Sequence, residues 1–210
     1  KVRDVKEILS ISYPDSSIEY KFMDVTDKSS IDDVFHSVDK IDILINNAAK
    51  DPKVKKEDAG SLNAESRFET MTERFWEEGI NAAIKGTFLC SQAACNKMLS
   101  TGGGVILNIS SDLGIIAPDN RIYRKEGVPE DQQSVKPITY SASKWAVIGM
   151  TKYLAVYFAK NNIRVNALSP TGVFNDHPEE FVKRLSNIIP MGRMAHIDEY
   201  KGAVVFMCSD

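Results

Sequence analysis

Thiol and imidazole are scarce in this chain, which has three cysteines and three histidines in 210 residues. Cys90, Cys95 and Cys208 form no Cys-x-x-Cys pair, and no histidine stands at metal-ligand spacing from them. No metal is therefore expected, and the thiols read as buried or idle groups in a reducing compartment such as the cytoplasm. Charge of one sign is lacking too. A formal net charge of −3 gives no basic field to attract nucleic acid or an anionic membrane. No apolar run reaches transmembrane length, and the first residues carry no signal-peptide pattern. With 43% hydrophobic and 26% charged residues, the composition excludes disorder. The length suits one domain with a substantial core.

What the sequence does have is alternation. Val2, Val5, Ile8 and Leu9 have helical spacing, and the Pro14–Ser17 cluster ends that run. Residues 18–25 read as a strand, with Ile18, Tyr20 and Phe22 alternating against polar partners. Thr26 is placed to cap a helix over 29–40, whose apolar face is Ile31, Val34, Phe35 and Val38. Residues 41–45 read as a strand buried on both faces. A polar loop (50–67), a long helix (71–100), a glycine turn (101–104) and a buried strand (105–109) follow. After a second polar stretch (118–137) come a helix (138–160), a strand (162–168), a loop (169–172) and helices at 178–187 and 197–208. Strands alternating with helices predict an α/β fold, a doubly wound parallel sheet with helices on both faces. In such sheets ligands bind beyond the C-terminal strand ends. Asp24, Asn46–Ala49, Ser110–Ser111 and Ser169–Val173 follow those ends and should converge on one edge.

Tyr140 and Lys144 stand four apart in Tyr-Ser-Ala-Ser-Lys at the start of a predicted helix, which puts both on one face. A free tyrosine titrates near pH ~10, and a neighbouring ammonium favours its phenolate, so the pair can serve as a general acid/base. The same spacing also occurs by chance on solvated helix faces. Ser111, at a strand end, could donate a hydrogen bond to a substrate carbonyl or could simply cap a turn. Gly79 and Asn81 are poor helix formers within one helical stretch, which suggests a local irregularity, although a surface asparagine is the commoner explanation.

Taken in order, these segments resemble one family. Asn46-Asn47-Ala48-Ala49 is similar to the Asn-Asn-Ala-Gly motif of the short-chain dehydrogenases/reductases. Phe75-Trp76, Asn81 and Gly86-Thr87-Phe88 resemble that family's next helix with its active-site asparagine. Asn108-Ile109-Ser110-Ser111 matches the strand with the catalytic serine, and Tyr140 to Lys144 the catalytic Tyr-x-x-x-Lys. Ile163-Arg164-Val165-Asn166 with Ser169-Pro170 resembles the strand and loop closing over the nicotinamide, and Asp24-Val25-Thr26-Asp27 the segment meeting the adenine. Six such matches in family order span nearly the whole chain.

The resemblance implies a Rossmann-like fold and hydride transfer between NAD or NADP and a carbonyl/alcohol carbon of a small molecule, without a metal. It implies Tyr140 as general acid/base, Lys144 as the group that lowers its pKa and binds the nicotinamide ribose, Ser111 as the holder of the substrate oxygen, and Asn81 as anchor of a water in a proton relay. Further cofactor contacts implied are Asp24 and Val25 to adenine, Asn47 with Ala48 and Ala49 to the ribose, and Pro170, Gly172 and Val173 at the nicotinamide. A homodimer or homotetramer formed through the helices at 71–100 and 138–160 is implied as well.

Departures from the family pattern matter as much. No Gly-x-x-x-Gly-x-Gly precedes Asp24, and Gly102–Gly104 comes too late and before a strand, so it cannot substitute. The chain stops at Cys208-Ser209-Asp210, where the family adds a strand. Residues 1–210 are thus expected to be a single, partial catalytic domain that exposes apolar surface and binds a dinucleotide poorly on its own. Ala49 and Thr171 stand where the family has glycine, and Gly172 follows to keep the turn flexible. Tyr140 lies 29 positions after Ser111, more than is usual, and the excess maps to a charged insertion, 119–136, with Arg121, Arg124, Lys125 and Lys136. A basic wall there would suit an anionic or sugar-like substrate, and a solvated loop is the even alternative. The insertion and His177-Pro178 resemble family members from bacterial surface-carbohydrate biosynthesis. Two other functions remain open: an NAD(P)-binding protein without catalysis, and a nucleotide-sugar epimerase or dehydratase. The second usually has a larger C-terminal domain than fits here.

Overall fold

The computed structural model describes residues 13–50 and 66–209. The helix expected before Ser12 and most of the polar stretch at 50–67 lie outside the described residues. Among the described residues three strands form a parallel sheet in the spatial order β1 (Ile43–Asn46), β2 (Gly104–Ile109), β3 (Ile163–Leu168). Asn46 lies opposite Asn108, and Asn108 opposite Ala167, so the strands end together at one edge.

The helices are α1 (Lys28–His36), α2 (Glu73–Ile80), α3 (Gly86–Thr101), α4 (Ile138–Tyr157), α5 (Glu179–Ile188) and α6 (Lys201–Cys208). One face of the sheet is packed by α1, α3 and α4. Ile31 and Phe35 of α1, Cys90, Ala94, Cys95 and Met98 of α3, and Ile106 and Val165 of the sheet form one buried cluster. Burial pushes the Cys95 thiol up to about 11, so it packs as a small apolar group. On the opposite face α6 reaches β2 and β3, where Arg164 donates to the Met207 carbonyl. This is the α/β arrangement expected, with helices on both faces.

Several expectations are corrected. Residues 18–25 form no strand. A strand exists by its ladder, and β1 has only β2 as a ladder neighbour among the described residues. Met23 and Val25 still pack against the core, whereas Phe22 is 90% exposed. β1 is not buried on both faces: Ile43 and Ile45 are 47% and 46% exposed, because they point to the side where only α6 lies among the described helices. The cap of α1 is Asp27, not Thr26. The Asp27 carboxylate accepts from Ser29 N, while Thr26 N and Oγ1 both donate back to Asp24 Oδ1. The last helix starts at Lys201, four residues later than expected from 197. The glycine turn sits at the N-terminal end of β2, away from the edge where the strands end. A Cβ at Gly103 (φ 122°) would lie 2.2 Å from the Asn162 carbonyl, so these glycines serve the turn.

Candidate active site

β2 runs out into Ser110 and Ser111, and both are buried. Ser110 Oγ donates to the Lys144 carbonyl at 2.9 Å, which fastens the strand end to α4. The Lys144 side chain crosses in the other direction, and its Nζ donates to the Ile109 carbonyl at 2.8 Å. Gly114 makes this closeness possible, since a Cβ there would lie 2.6 Å from Ser110 Oγ and 2.8 Å from the Lys144 carbonyl oxygen. Lys144 is only 6% exposed, and its ammonium lies 5.6 Å from the centre of the Tyr140 ring one turn earlier. A buried lysine needs such oxygen partners to remain charged.

Asn81 opens a π-helical turn, Asn81–Lys85, between α2 and α3. The long helix expected over 71–100 is thus continuous but underwound at the residue where glycine and asparagine suggested an irregularity; such turns are frequent at functional sites. Gly79 lets this segment lie against α4, because a Cβ there would be 2.7 Å from Cβ of Thr139, the neighbour of Tyr140. The Lys85 ammonium donates to the Thr26 carbonyl at 2.8 Å, and Val25 fills the space beside Gly86, where a Cβ would be 2.9 Å from the valine side chain. Asp24 and Val25 therefore sit beside the start of α3. The bond from Thr26 N–H, then that from its hydroxyl, holds the Asp24 carboxyl below the usual carboxylate range. Asn47, Ala48 and Ala49 follow β1 and are exposed.

On the β3 side, Pro170, Thr171, Gly172 and Val173 form a loop held from two directions. Ala195 N donates to the Gly172 carbonyl and Phe174 N to the Ala195 carbonyl, both at 2.9 Å, bridging Val173 to Ala195. Gly172 has no positive φ; its role is closeness, since a Cβ would lie 2.6 Å from Leu185 of α5. The turn flexibility expected of it is replaced by tight packing.

Sequence reasoning missed three features. The first is Asp112, whose carboxylate takes hydrogen bonds from Ser111 Oγ, Leu113 N and Thr171 Oγ1, each at 2.8 Å. The second is Lys136, whose ammonium lies 3.8 Å above the centre of the Tyr140 ring. The third is a polar strip through the core. Asn46 Nδ2 donates to Asn108 Oδ1 and Ser91 Oγ, and the fully buried Asn108 donates to Thr151 Oγ1. Only the residue types Asn46 and Asn108, at matching strand ends, hinted at it.

The 119–136 insertion is anchored rather than free. Gln133 is buried and bonds Lys125 N, Lys125 O and Val128 O. Arg67 donates to the carbonyls of Glu130 and Gln133, and Arg184 of α5 to that of Arg124. Tyr123, Phe181, His177 and Phe174 carry ring contacts from the insertion to the segment after β3. Arg121 is engaged by Asp119, and Arg124 by Glu130.

The strand ends therefore bring together Ser111, Tyr140, Lys144 and the 170–173 loop, with Asn81 on the helix packed beside them, while Asp24 and Asn47–Ala49 lie on the β1 side. A buried ammonium, hydroxyls and strand-end amides are the donor set that a nicotinamide ribose requires. The residues present fit that half of a dinucleotide. Among the described residues no group of three His, Cys, Asp or Glu side chains could hold a metal ion, and no helix is long and apolar enough to cross a membrane.

Known proteins share this family sequence and fold. A family model described as enoyl-(acyl carrier protein) reductase matches residues 9–210. An NAD-dependent glycerol dehydrogenase of Listeria innocua is 30% identical over 99% of this chain and 74% of its own length. A 3alpha-hydroxysteroid dehydrogenase of Mediterraneibacter gnavus is 32% identical over 97% of this chain and 74% of its own. A crystal structure of a short chain dehydrogenase from Leptospira borgpetersenii with bound NAD+ superposes with a TM-score of 0.76 at 30% identity, covering 98% of this chain and 80% of that one. The strand-end cluster, the ordered motifs and these relatives agree: the chain belongs to the short-chain dehydrogenases/reductases, the oxidoreductases that use NAD or NADP.

Proposed function

We propose that this protein transfers a hydride between NAD(P) and a carbonyl/alcohol carbon of a small polyol-, sugar-like or anionic substrate, with Tyr140 as the general acid/base. The observation that carries the reading is the setting of Tyr140, whose ring has the Lys136 ammonium at 3.8 Å and the Lys144 ammonium at 5.6 Å. Both charges favour the phenolate over the phenol. In oxidation Tyr140 Oη takes the substrate hydroxyl proton, and in reduction it returns one to the carbonyl oxygen. Lys144 binds the ribose hydroxyls from the strand edge, Ser111 holds the substrate oxygen, and Asn81 at the π turn anchors a water that carries protons away. Asp24 and Val25 meet the adenine, Asn47 to Ala49 the ribose, and the Pro170–Val173 loop the carboxamide. When bound, the dinucleotide supplies the nicotinamide carbon that accepts or gives the hydride.

The substrate class rests on charge. Arg121 and Arg124 of the insertion are paired with Asp119 and Glu130, and Lys136 lies over the ring of the reacting tyrosine. The relative named for glycerol favours a polyol. The protein acts as a homo-oligomer in the cytoplasm, its contacts made by α3 and α4, where Phe88, Trp145, Tyr153 and Tyr157 are exposed.

The test is turnover of the full-length protein on polyols, sugar alcohols, hydroxy acids and their ketones with each nicotinamide cofactor, followed by nicotinamide absorbance. Turnover of a polyol or sugar alcohol is expected, and Lys136→Met should raise KM for an acidic substrate about tenfold more than for a neutral one. No turnover in any combination contradicts the reading.

A further inference from the structure

We infer that Asp112 is a positioning residue that clamps Ser111 to the loop over the nicotinamide, so that one carboxylate fixes the substrate oxygen relative to the hydride. The inference rests on the function proposed above. A carboxylate only accepts, so at 2.8 Å the hydrogen between Ser111 Oγ and Asp112 Oδ1 is the serine's; it turns to the substrate oxygen when that oxygen needs a donor, and the Leu113 N–H and the Thr171 hydroxyl then keep Asp112 in place. Oδ1 also takes the Leu113 N–H at 2.8 Å, and that N–H is shared with Ser111 Oγ at 3.2 Å. The second oxygen, Oδ2, takes the Thr171 hydroxyl at 2.8 Å. The backbone repeats the tie, with Asp112 N donating to the Pro170 carbonyl at 3.0 Å. Thr171 is in turn held by Tyr200, whose hydroxyl accepts from Thr171 N at 3.1 Å.

The clamp therefore joins the ends of β2 and β3 through side chains, at the two points where the substrate oxygen and the carboxamide must be held. Thr171 stands where the resemblance placed a glycine, and a glycine has no hydroxyl to give. The Asp112–Thr171 bond thus belongs to this chain's own residues. Hydride transfer is sensitive to sub-ångström placement of the two reacting carbons, so loss of the clamp should act on the chemical step more than on binding.

The experiment is a double-mutant cycle in the full-length enzyme with its best polyol, comparing the wild type, Asp112→Ala, Thr171→Val and the pair. Asp112→Asn serves as the conservative rescue. Asp112→Ala should lower kcat about tenfold, Thr171→Val about threefold, and the pair no further than Asp112→Ala, because both remove one interaction. KM should stay within about threefold throughout, the primary deuterium isotope effect should rise, and Asp112→Asn should recover most of kcat. Effects that multiply, or that fall on KM with kcat unchanged, overturn the clamp. If Asp112→Ala does not fold, Thr171→Val carries the test, with kcat about threefold lower, KM within about threefold and a raised isotope effect, and kcat unchanged overturning the clamp. A wild type without turnover would defeat the proposed function instead, and the clamp is then read by hydrogen exchange. Thr171→Val should speed exchange of the 111–113 amides about fivefold; unchanged exchange would contradict it.

Discussion

The β2–β3 side of the strand edge and the β1 side are built differently. On the first, Ser110, Ser111 and Lys144 are buried, and the bonds of Ser110 and Lys144 span about a sixth of the chain. On the second, Asp24 is tied to Thr26 and Ser30 nearby in sequence, and Asn47 to Ala49 are exposed. Polar groups that are buried and bonded across elements hold their geometry without a ligand, whereas exposed groups in local turns are free to adjust to one. The proposed function thus puts the chemistry on the rigid side and the start of cofactor recognition on the adaptable one.

The difference can be broken from either side. Lys144→Met should lower kcat roughly 10²–10³-fold, whereas Asp24→Ala should raise only the cofactor KM, by roughly threefold, in steady-state kinetics of the full-length enzyme. Equal effects would erase the distinction. Asn108→Ala removes one hydrogen-bond partner each from Asn46 and Thr151 and leaves a cavity in the core, and should cost about 2–4 kcal/mol in urea unfolding. Asn47→Ala, at an exposed position, should cost less than about 0.5 kcal/mol by the same measurement. Gly79→Ala pushes the π-turn segment off Thr139 and should cost about 1–3 kcal/mol, with a fall in kcat. The smallest effect is electrostatic. Bonds from Arg193, then from His196 N, hold the Glu199 carboxyl at about 2, below its ordinary value of 4.5. A depressed carboxyl stabilises the fold above its unfolded value and loses that contribution as pH falls through the folded one. Exchange of the His196 amide, corrected for its intrinsic pH dependence, should therefore quicken between about pH 4.5 and 2. Glu199→Gln should remove the step.

The sequence was most readable where function is written at strand ends. The alternation of strands and helices, the ordered motifs, the irregularity at Asn81 and the exclusion of Gly102–Gly104 all correspond to what the fold contains. The residues at 18–25 misled because alternation records a strand's faces and not its ladder partner. At the cap of α1, Thr26 and Asp27 are both good candidates, and the choice depends on which side chain reaches Ser29 N. Asp112 reads as an ordinary turn residue until β3 brings Thr171 against it. Lys136 reads as one charge among many until the insertion returns to α4 and lays it over Tyr140. These contacts join positions whose proximity is decided by packing.

Tyr140→Phe in the full-length enzyme tests the central assignment most directly. The ring and its neighbours stay in place, and only the hydroxyl is lost. The expected result is unchanged cofactor binding with turnover reduced roughly 10³-fold or more. Turnover within about tenfold of the wild type would contradict it, since a general acid/base contributes at least about 10².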